Sequence, residues 1–324
     1  MLKTILKIVL PFVLGAAILW WMYRGEDFAA LWHVVTKEMK WGWMLFSFVF
    51  GALAMVVRAV RWRMTLEPLG EKPRLRTAID AVFLSYGASL VVPRIGEVMR
   101  CGTLKRMDGI SFSKGVGTVL TERIVDSLLI VALTVLSLFS QLPVFLNFLR
   151  TTGITPSGLI NQFTQTGYIV TAVCVIALVV GLSLLASRYA VLRGGRDLLR
   201  DVKDGILSLR QVRRPVLYWI LSISIWMCYF LHFYIAFFCF KETAGFPLLG
   251  AFLVFCVGSF AVLVPTPNGA GPWHFAVKTM LVIYGIAEAP AVMFALVVHT
   301  VQTLLVAVLG ICAWADLNTI KIKR

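Results

Sequence analysis

Arg94, Glu97 and Arg100 recur at three-residue spacing directly after Pro93, at the end of an apolar stretch. If the stretch is helical, the three share a face and pair as Arg–Glu–Arg. Two guanidinium groups against one carboxylate leave a spare cationic fork, the geometry that holds a phosphate. With no ligand, the same residues make a salt-bridge network that fixes the segment at a membrane edge. A second group opens a later apolar run: Glu122 and Asp126 lie on one helical face, and Arg123 reaches Asp126 at three-residue spacing. Each charge costs roughly 2.5–3.5 kcal/mol at mid-membrane, so three facing lipid cost on the order of 8–10 kcal/mol. That cost predicts that they face the protein interior, a wet cavity or the interface. Arg58, Arg61 and Arg63 surround Trp62 where another apolar run ends, which fits interfacial anchoring or contact with a headgroup.

A further break, Pro265-Thr266-Pro267-Asn268-Gly269-Ala270-Gly271, is followed by His274 and, four residues on, Lys278. Lys278 either lines this second break as a cation or snorkels to the membrane surface. His232 and His299 stand alone in apolar runs and read as hydrogen-bonded interior residues; no second ligand at metal spacing accompanies them. No H-E-x-x-H, G-x-S-x-G, Walker loop, dinucleotide fingerprint or acidic metal cluster is present, so neither an enzyme nor a metal or other cofactor is indicated. Active transport would have to draw on ion or lipid gradients, with Glu97, Glu122 and Asp126 as the candidate proton carriers.

The elements that must position these residues are membrane helices. Of 324 residues, 59% are hydrophobic and 15% charged, and mean hydropathy is +0.86. A soluble domain is nearer half apolar and a quarter charged. The net charge of +15 suggests nucleic acid in a soluble protein, but here Lys and Arg concentrate in loops, as cytoplasmic loops do, and no nucleic-acid partner is expected. Cys101, Cys174, Cys228, Cys239, Cys256 and Cys312 lack paired spacing. Spans are predicted at 5–23, 41–58, 117–140, 167–187, 216–239 and 290–315, the first an uncleaved span because Trp20-Trp21-Met22-Tyr23-Arg24 offers no small-residue cleavage site. Trp20, Trp21, Trp41 and Trp43 form aromatic anchors at one interface.

The loops 59–76 and 188–214 are rich in Arg and Lys and should be cytoplasmic, whereas 141–166 and 24–40 should lie outside. Because 94–114 is basic again, 77–112 must enter and return on the cytoplasmic side. The basic C-terminus, Lys321 to Arg324, is likewise cytoplasmic only if 246–288 enters and returns on the outer side. Two broken segments thus dip in from opposite faces, each after two spans and before one. An odd number of crossings per half inverts the second half, and broken helices at corresponding positions point to a transporter's substrate site. The division is 1–190, a cytoplasmic amphipathic connector at 191–214 carrying Leu198, Leu199, Val202, Ile206 and Leu209 at helical spacing, and 215–324.

Four motifs resemble one known family over nearly the whole chain: Arg58-Ala-Val-Arg61-Trp62, Pro93-Arg94-Ile-Gly96-Glu97-Val-Met-Arg100, Glu122-Arg123-Ile-Val-Asp126, and Pro267-Asn268-Gly269-Ala-Gly271-Pro-Trp-His274. This is the lysylphosphatidylglycerol synthase transmembrane (flippase-like) family. The resemblance implies an integral membrane protein that moves lipids with charged headgroups between leaflets. Members fused to an aminoacyl-transferase domain also make the aminoacylated lipid; the sequence stops at Arg324, so that reaction is expected to be absent. The fourth motif departs from the family's Gly-Gly-x-Gly-x-x-Glu: Asn268 replaces a glycine and His274 stands where glutamate is expected. A histidine there points to a different headgroup or to proton coupling near its ordinary pKa of about 6.5.

The sequence is therefore read as all-α, with six transmembrane helices and two re-entrant hairpins in an inverted repeat. It sits in the plasma (bacterial inner) membrane with both termini cytoplasmic, and moves a phospholipid or polyprenyl-phosphate type lipid. Arg94 and Arg100 hold phosphate, and Arg94→Ala is expected to abolish transport but not insertion. The Pro265–Gly271 break forms the opposite gate. The competing readings are a membrane-embedded enzyme acting on lipid-linked sugars or phosphates, with Glu97 or Asp126 as base, and a scaffold for a separate lipid-modifying synthase.

Overall fold

The computed structural model describes residues 13, 15–25, 28–92, 95–143, 204, 207–262, 264 and 266–320. Among them there are helices and turns but no strands. Residues 15–23 are helical, and a short helix α1 (Phe28–His33) passes into a π-helical turn, Val34–Glu38. Eight helices follow: α2 (Trp41–Leu66), α3 (Leu75–Val91), α4 (Ile95–Asp108), α5 (Phe112–Ser140), α6 (Pro215–Ile235), α7 (Leu248–Ala261), α8 (Pro272–Ile283) and α9 (Glu288–Thr319).

Their lengths separate them into two classes. Helices α2, α5, α6 and α9 have 26, 29, 21 and 32 residues. At 1.5 Å per residue they run about 31–48 Å, enough to cross a hydrocarbon core of about 30 Å. All four are also apolar enough to cross. They coincide with the predicted spans 41–58, 117–140, 216–239 and 290–315. Helices α3, α4, α7 and α8 have 17, 14, 14 and 12 residues, about 18–26 Å, and fall short of a crossing. The two interrupted stretches are therefore pairs of short helices. The predicted span 167–187 and residues 191–203, 205 and 206 of the predicted connector, Ile206 included, lie outside the described residues, as does most of 5–14.

The breaks have local causes. Helix α3 stops at Val91, and Val92 is extended (φ −128°, ψ 115°), the conformation forced on a residue that precedes proline, here Pro93. In the second break Asn268 and Gly269 both take left-handed backbone (φ 50° and 72°), which asparagine and glycine tolerate best. Gly271 (φ 92°) then turns the chain into α8, whose first residue is Pro272, the position where a missing N–H does no harm.

Packing follows a crossed order. α2 lies along α6; α3 packs on both α4 and α9; α7 packs on α5 and α8; α8 packs on α9. Small residues sit at the closest approaches, as membrane helices require. A Cβ on Gly51 of α2 would lie 2.9 Å from His232 Nε2 of α6. One on Gly87 of α3 would lie 3.0 Å from the Gly310 Cα of α9. Aromatic side chains including Phe230, Phe233, Phe237 and Phe294 fill one apolar core, near the α2 N-terminus. Trp62, Leu66, Ala81 and Leu104 fill another near its C-terminus. The outer faces expose Leu45, Val49, Leu128, Leu136, Phe139, Ile223 and Ile311, an apolar belt that lipid must cover. Trp20, Trp21, Trp41 and Trp43 are all exposed, as anchors should be.

The end of the bundle where α2 finishes carries ion pairs. Arg74 gives Nε to Asp108 Oδ1 at 2.6 Å, Lys114 pairs with Glu71 at 3.1 Å, and Arg76 donates to Asp316 at 2.7 Å. The last ties the start of α3 to the end of α9.

Candidate functional site

Helix α2 presents Arg58 and Arg61 three residues apart, and α5 presents Glu122 and Asp126 four apart, each about one turn, so two cations face two anions across one helix contact. Arg58 pairs with Glu122 and with Asp126 Oδ2, the second at 2.6 Å. Arg61 pairs with Asp126 Oδ1 at 2.8 Å and Glu122 at 3.3 Å. Arg100, from α4, donates to Glu122 at 3.1 Å and stacks over Trp62, its guanidinium carbon 4.6 Å from the ring centroid. Side-chain exposure of the five is 8% or less. Three guanidinium groups thus hold two carboxylates, an excess of one positive charge in a dry place. Arg100 Nε and one of its terminal nitrogens have no hydrogen-bond acceptor.

Glu97 and Arg123 form a separate pair at 2.7 Å between α4 and α5, with side chains 38% and 40% exposed. These pairings correct the local pattern read from spacing. Glu97 does not bind Arg100 and Arg123 does not bind Asp126; each finds its partner on another helix. Intrahelical pairs at three-residue spacing are worth only about 0.2–0.5 kcal/mol. In a buried helix contact the ion pairs that neutralise both helices at once decide the geometry.

Beside the cluster lies a cavity of about 400 Å³. Arg58, Arg123 and Asp126 close one end, and Asn268, His299, Gln302 and Thr303 line the other. An aromatic wall joins the ends. Arg58 sits 5.9 Å from the Tyr229 ring centroid. The contacts then run Tyr229–Trp226 (6.4 Å), Trp226–Phe255 (6.3 Å), Phe255–Phe233 (6.1 Å), Phe233–Trp273 (6.0 Å) and Trp273–His299 (5.1 Å). Tyr229 donates its hydroxyl hydrogen to Tyr86 of α3 at 2.9 Å, so the first hairpin also reaches the cavity.

At the far end Asn268 donates to Thr303 Oγ1 at 2.7 Å, and its carbonyl lies 3.0 Å from His299 Nε2. Gln302 donates to the His232 carbonyl at 2.9 Å, and His232 Nδ1 lies 2.8 Å from the Ser47 carbonyl. His232 and His299 are thus hydrogen-bonded interior residues as read from sequence, and both also line the cavity. Gly269 is buried under Val262, and Gly271 packs against Ile18 of the first helical segment. His274 is buried; the Gly271 N–H donates to its Nδ1 at 3.3 Å, and its ring meets Tyr23 edge-on and His299 at 4.3 Å.

Of the residues predicted from sequence, Arg58, Arg61, Arg100, Glu122 and Asp126 converge in the buried cluster. Glu97 and Arg123 stand beside it. Asn268, Gly269, Gly271 and His274 form the second break at the cavity's other end. Lys278 does not line the cavity but pairs with Glu288 at the start of α9. Arg94 and Pro265 lie outside the described residues. Tyr86, Trp226, Tyr229, Trp273, Gln302 and Thr303 were missed. Within hydrophobic runs an aromatic residue that walls a cavity has the same local pattern as one that faces lipid.

Residues 8–310 match the family described as the Lysylphosphatidylglycerol synthase TM region, and the chain belongs to that family. No curated protein and no solved structure matches the chain.

Proposed function

We propose that this member of the family moves a lipid with a charged headgroup, of phospholipid or polyprenyl-phosphate type, between the leaflets of the plasma membrane. The observation that carries the reading is one cavity with a guanidinium-lined end next to the buried ion cluster and a polar end at the second break. Arginine is suited to phosphate because its planar fork meets two oxygens at once. The one-charge excess of the buried cluster supplies attraction that an anionic group would complete. The aromatic wall between the ends gives a path for a headgroup that has left water.

An inverted repeat accounts for the packing. Each half has a long helix, two short ones and a long one: α2–α5 and α6–α9. The first short helix of each half packs on the last long helix of the other half, α3 on α9 and α7 on α5, while α2 and α6 pair with each other. A two-fold axis through the α2–α6 contact generates that exchange. On this reading the two hairpins are re-entrant from opposite faces, the loop ends at Glu67 and Thr319 are cytoplasmic, and the basic ends carry the positive-inside signal. Rocking of one half on the other along α2–α6 would expose the cavity to each leaflet in turn. Glu122 and Asp126 are locked by arginines, so Glu97, half-exposed and holding one cation, is the carboxylate placed to exchange its partner during the cycle.

The test is leaflet exchange of a fluorescent-acyl phosphatidylglycerol in proteoliposomes, read by impermeant quenching of the outer leaflet. Wild type should move the probe, and Arg123→Gln should slow it at least tenfold while leaving folding intact. No protein-dependent exchange of this or any other anionic lipid sinks the reading. Chemical turnover of a labelled lipid in detergent, where no leaflets exist, would replace it with an enzyme.

A further inference from the structure

The two ends of the cavity differ in charge, and the difference speaks to the headgroup. Among the described lining residues Asp126 is the one carboxylate, and Arg58 and Arg61 already hold it. The opposite end offers amides, hydroxyls and imidazole from Asn268, Gln302, Thr303, Ser259 and His299, next to the indole of Trp273. The nearby His274 is turned into protein against Tyr23 and His299 and brings no carboxylate to this end. A lysyl headgroup brings two amines, and a cation placed in low-dielectric surroundings without a counter-charge is strongly disfavoured. Hydroxyl groups suit this end instead. Amide and hydroxyl side chains both donate and accept, and an indole face covers the C–H surface of a polyol. A site that hydrogen-bonds a substrate hydroxyl also rejects analogues that lack it.

We propose that the cavity selects a phosphodiester lipid whose headgroup is neutral and hydroxyl-bearing, a polyol or sugar. The phosphate sits at Arg58 and Arg123 and the hydroxyls at Asn268, Gln302 and Thr303. This rests on the lipid-moving reading above and narrows its substrate class away from aminoacylated lipid.

The test is calorimetric binding of short-chain phosphatidylglycerol and short-chain lysylphosphatidylglycerol to the full chain in detergent. The neutral-headgroup lipid should bind at least about tenfold more tightly, and Asn268→Asp, which installs a nearly isosteric carboxylate at the distal end, should narrow the preference by about tenfold. Equal or tighter binding of the lysyl lipid to the wild type overturns the proposal, as does no binding of either at millimolar concentration. Leaflet exchange measured on the same two lipids separates the claims. Preferential binding without exchange removes the transport reading and keeps the headgroup assignment. Exchange that favours the lysyl lipid keeps transport and removes the assignment.

Discussion

Arg58 and Asp126 are 68 positions apart in sequence and 2.6 Å apart in space, both almost fully buried. The pair joins α2 to α5. Because Arg61 reaches the other oxygen of the same carboxylate, Asp126 is gripped on both sides. Truncating one partner of a buried pair leaves the other as an uncompensated charge, at a cost of roughly 3–5 kcal/mol. Asp126→Asn should therefore lower thermal stability in detergent substantially. The double variant Arg58→Gln with Asp126→Asn should lose clearly less than the sum of the single losses, since the second change removes the charge that the first exposed. Strictly additive losses in a double-mutant cycle would show that the two do not act as a unit.

The Glu97–Arg123 pair should behave otherwise. With both side chains more than a third exposed, solvent screens it, and such pairs contribute about 1 kcal/mol or less. Glu97→Gln is expected to leave the melting temperature nearly unchanged while altering the rate of lipid exchange, because it frees Arg123 at the cavity. A melting loss as large as that of Asp126→Asn would make this pair structural instead.

Close packing of the first hairpin gives a sharper contrast. A Cβ on Gly96 would lie 1.9 Å from the Ser85 carbonyl oxygen, a backbone atom that cannot swing aside, whereas one on Gly102 of the same helix meets nothing within 4 Å. Gly96→Ala must push α4 off α3 and should fail to give a stable, monodisperse protein. Gly102→Ala should be neutral or stabilising by about 0.5–1 kcal/mol through backbone entropy. Size-exclusion profiles and melting curves of the two variants check this, and a well-folded Gly96→Ala would contradict the hairpin geometry.

The contrast also explains what was legible beforehand. Four crossing helices and both breaks could be read because twenty apolar residues, a Pro93 or an Asn268-Gly269 leave a signal within a few positions. Arg58, Glu122 and Asp126 could be suspected because burial of a charge is costly wherever its partner is. Their pairing could not be, because spacing along one helix carries no information about which helix lies opposite. Glu97 went to Arg123 and Arg100 to Glu122 for that reason. Trp226, Tyr229 and Trp273 gave no signal at all: only the α2–α6 contact and the second hairpin turn them towards the same space. Lys278 was readable only as a choice between lining and surface, and Glu288 on the next helix decided it.

The proposed inverted repeat makes a prediction about sides that owes nothing to lipid chemistry. Between Lys72, after α2, and Glu242, after α6, the proposed topology has one re-entrant hairpin and three full crossings, so the two residues must lie on opposite faces of the membrane. In a background with the exposed Cys312 replaced by serine, Lys72→Cys should react with an impermeant maleimide only after the cytoplasmic face is opened, and Glu242→Cys should react in intact cells. Val92→Cys, at the end of α3, is the more discriminating site. A hairpin that returns at the cavity leaves it slowly reactive and protected by bound lipid, whereas a helix that runs on through the membrane would place it freely on the outer face. Fast, unprotected labelling of Val92→Cys from outside would remove the re-entrant arrangement and the symmetry argument built on it. Slow labelling from either face, lost when phosphatidylglycerol is added, would tie the first break to the same cavity as Asn268.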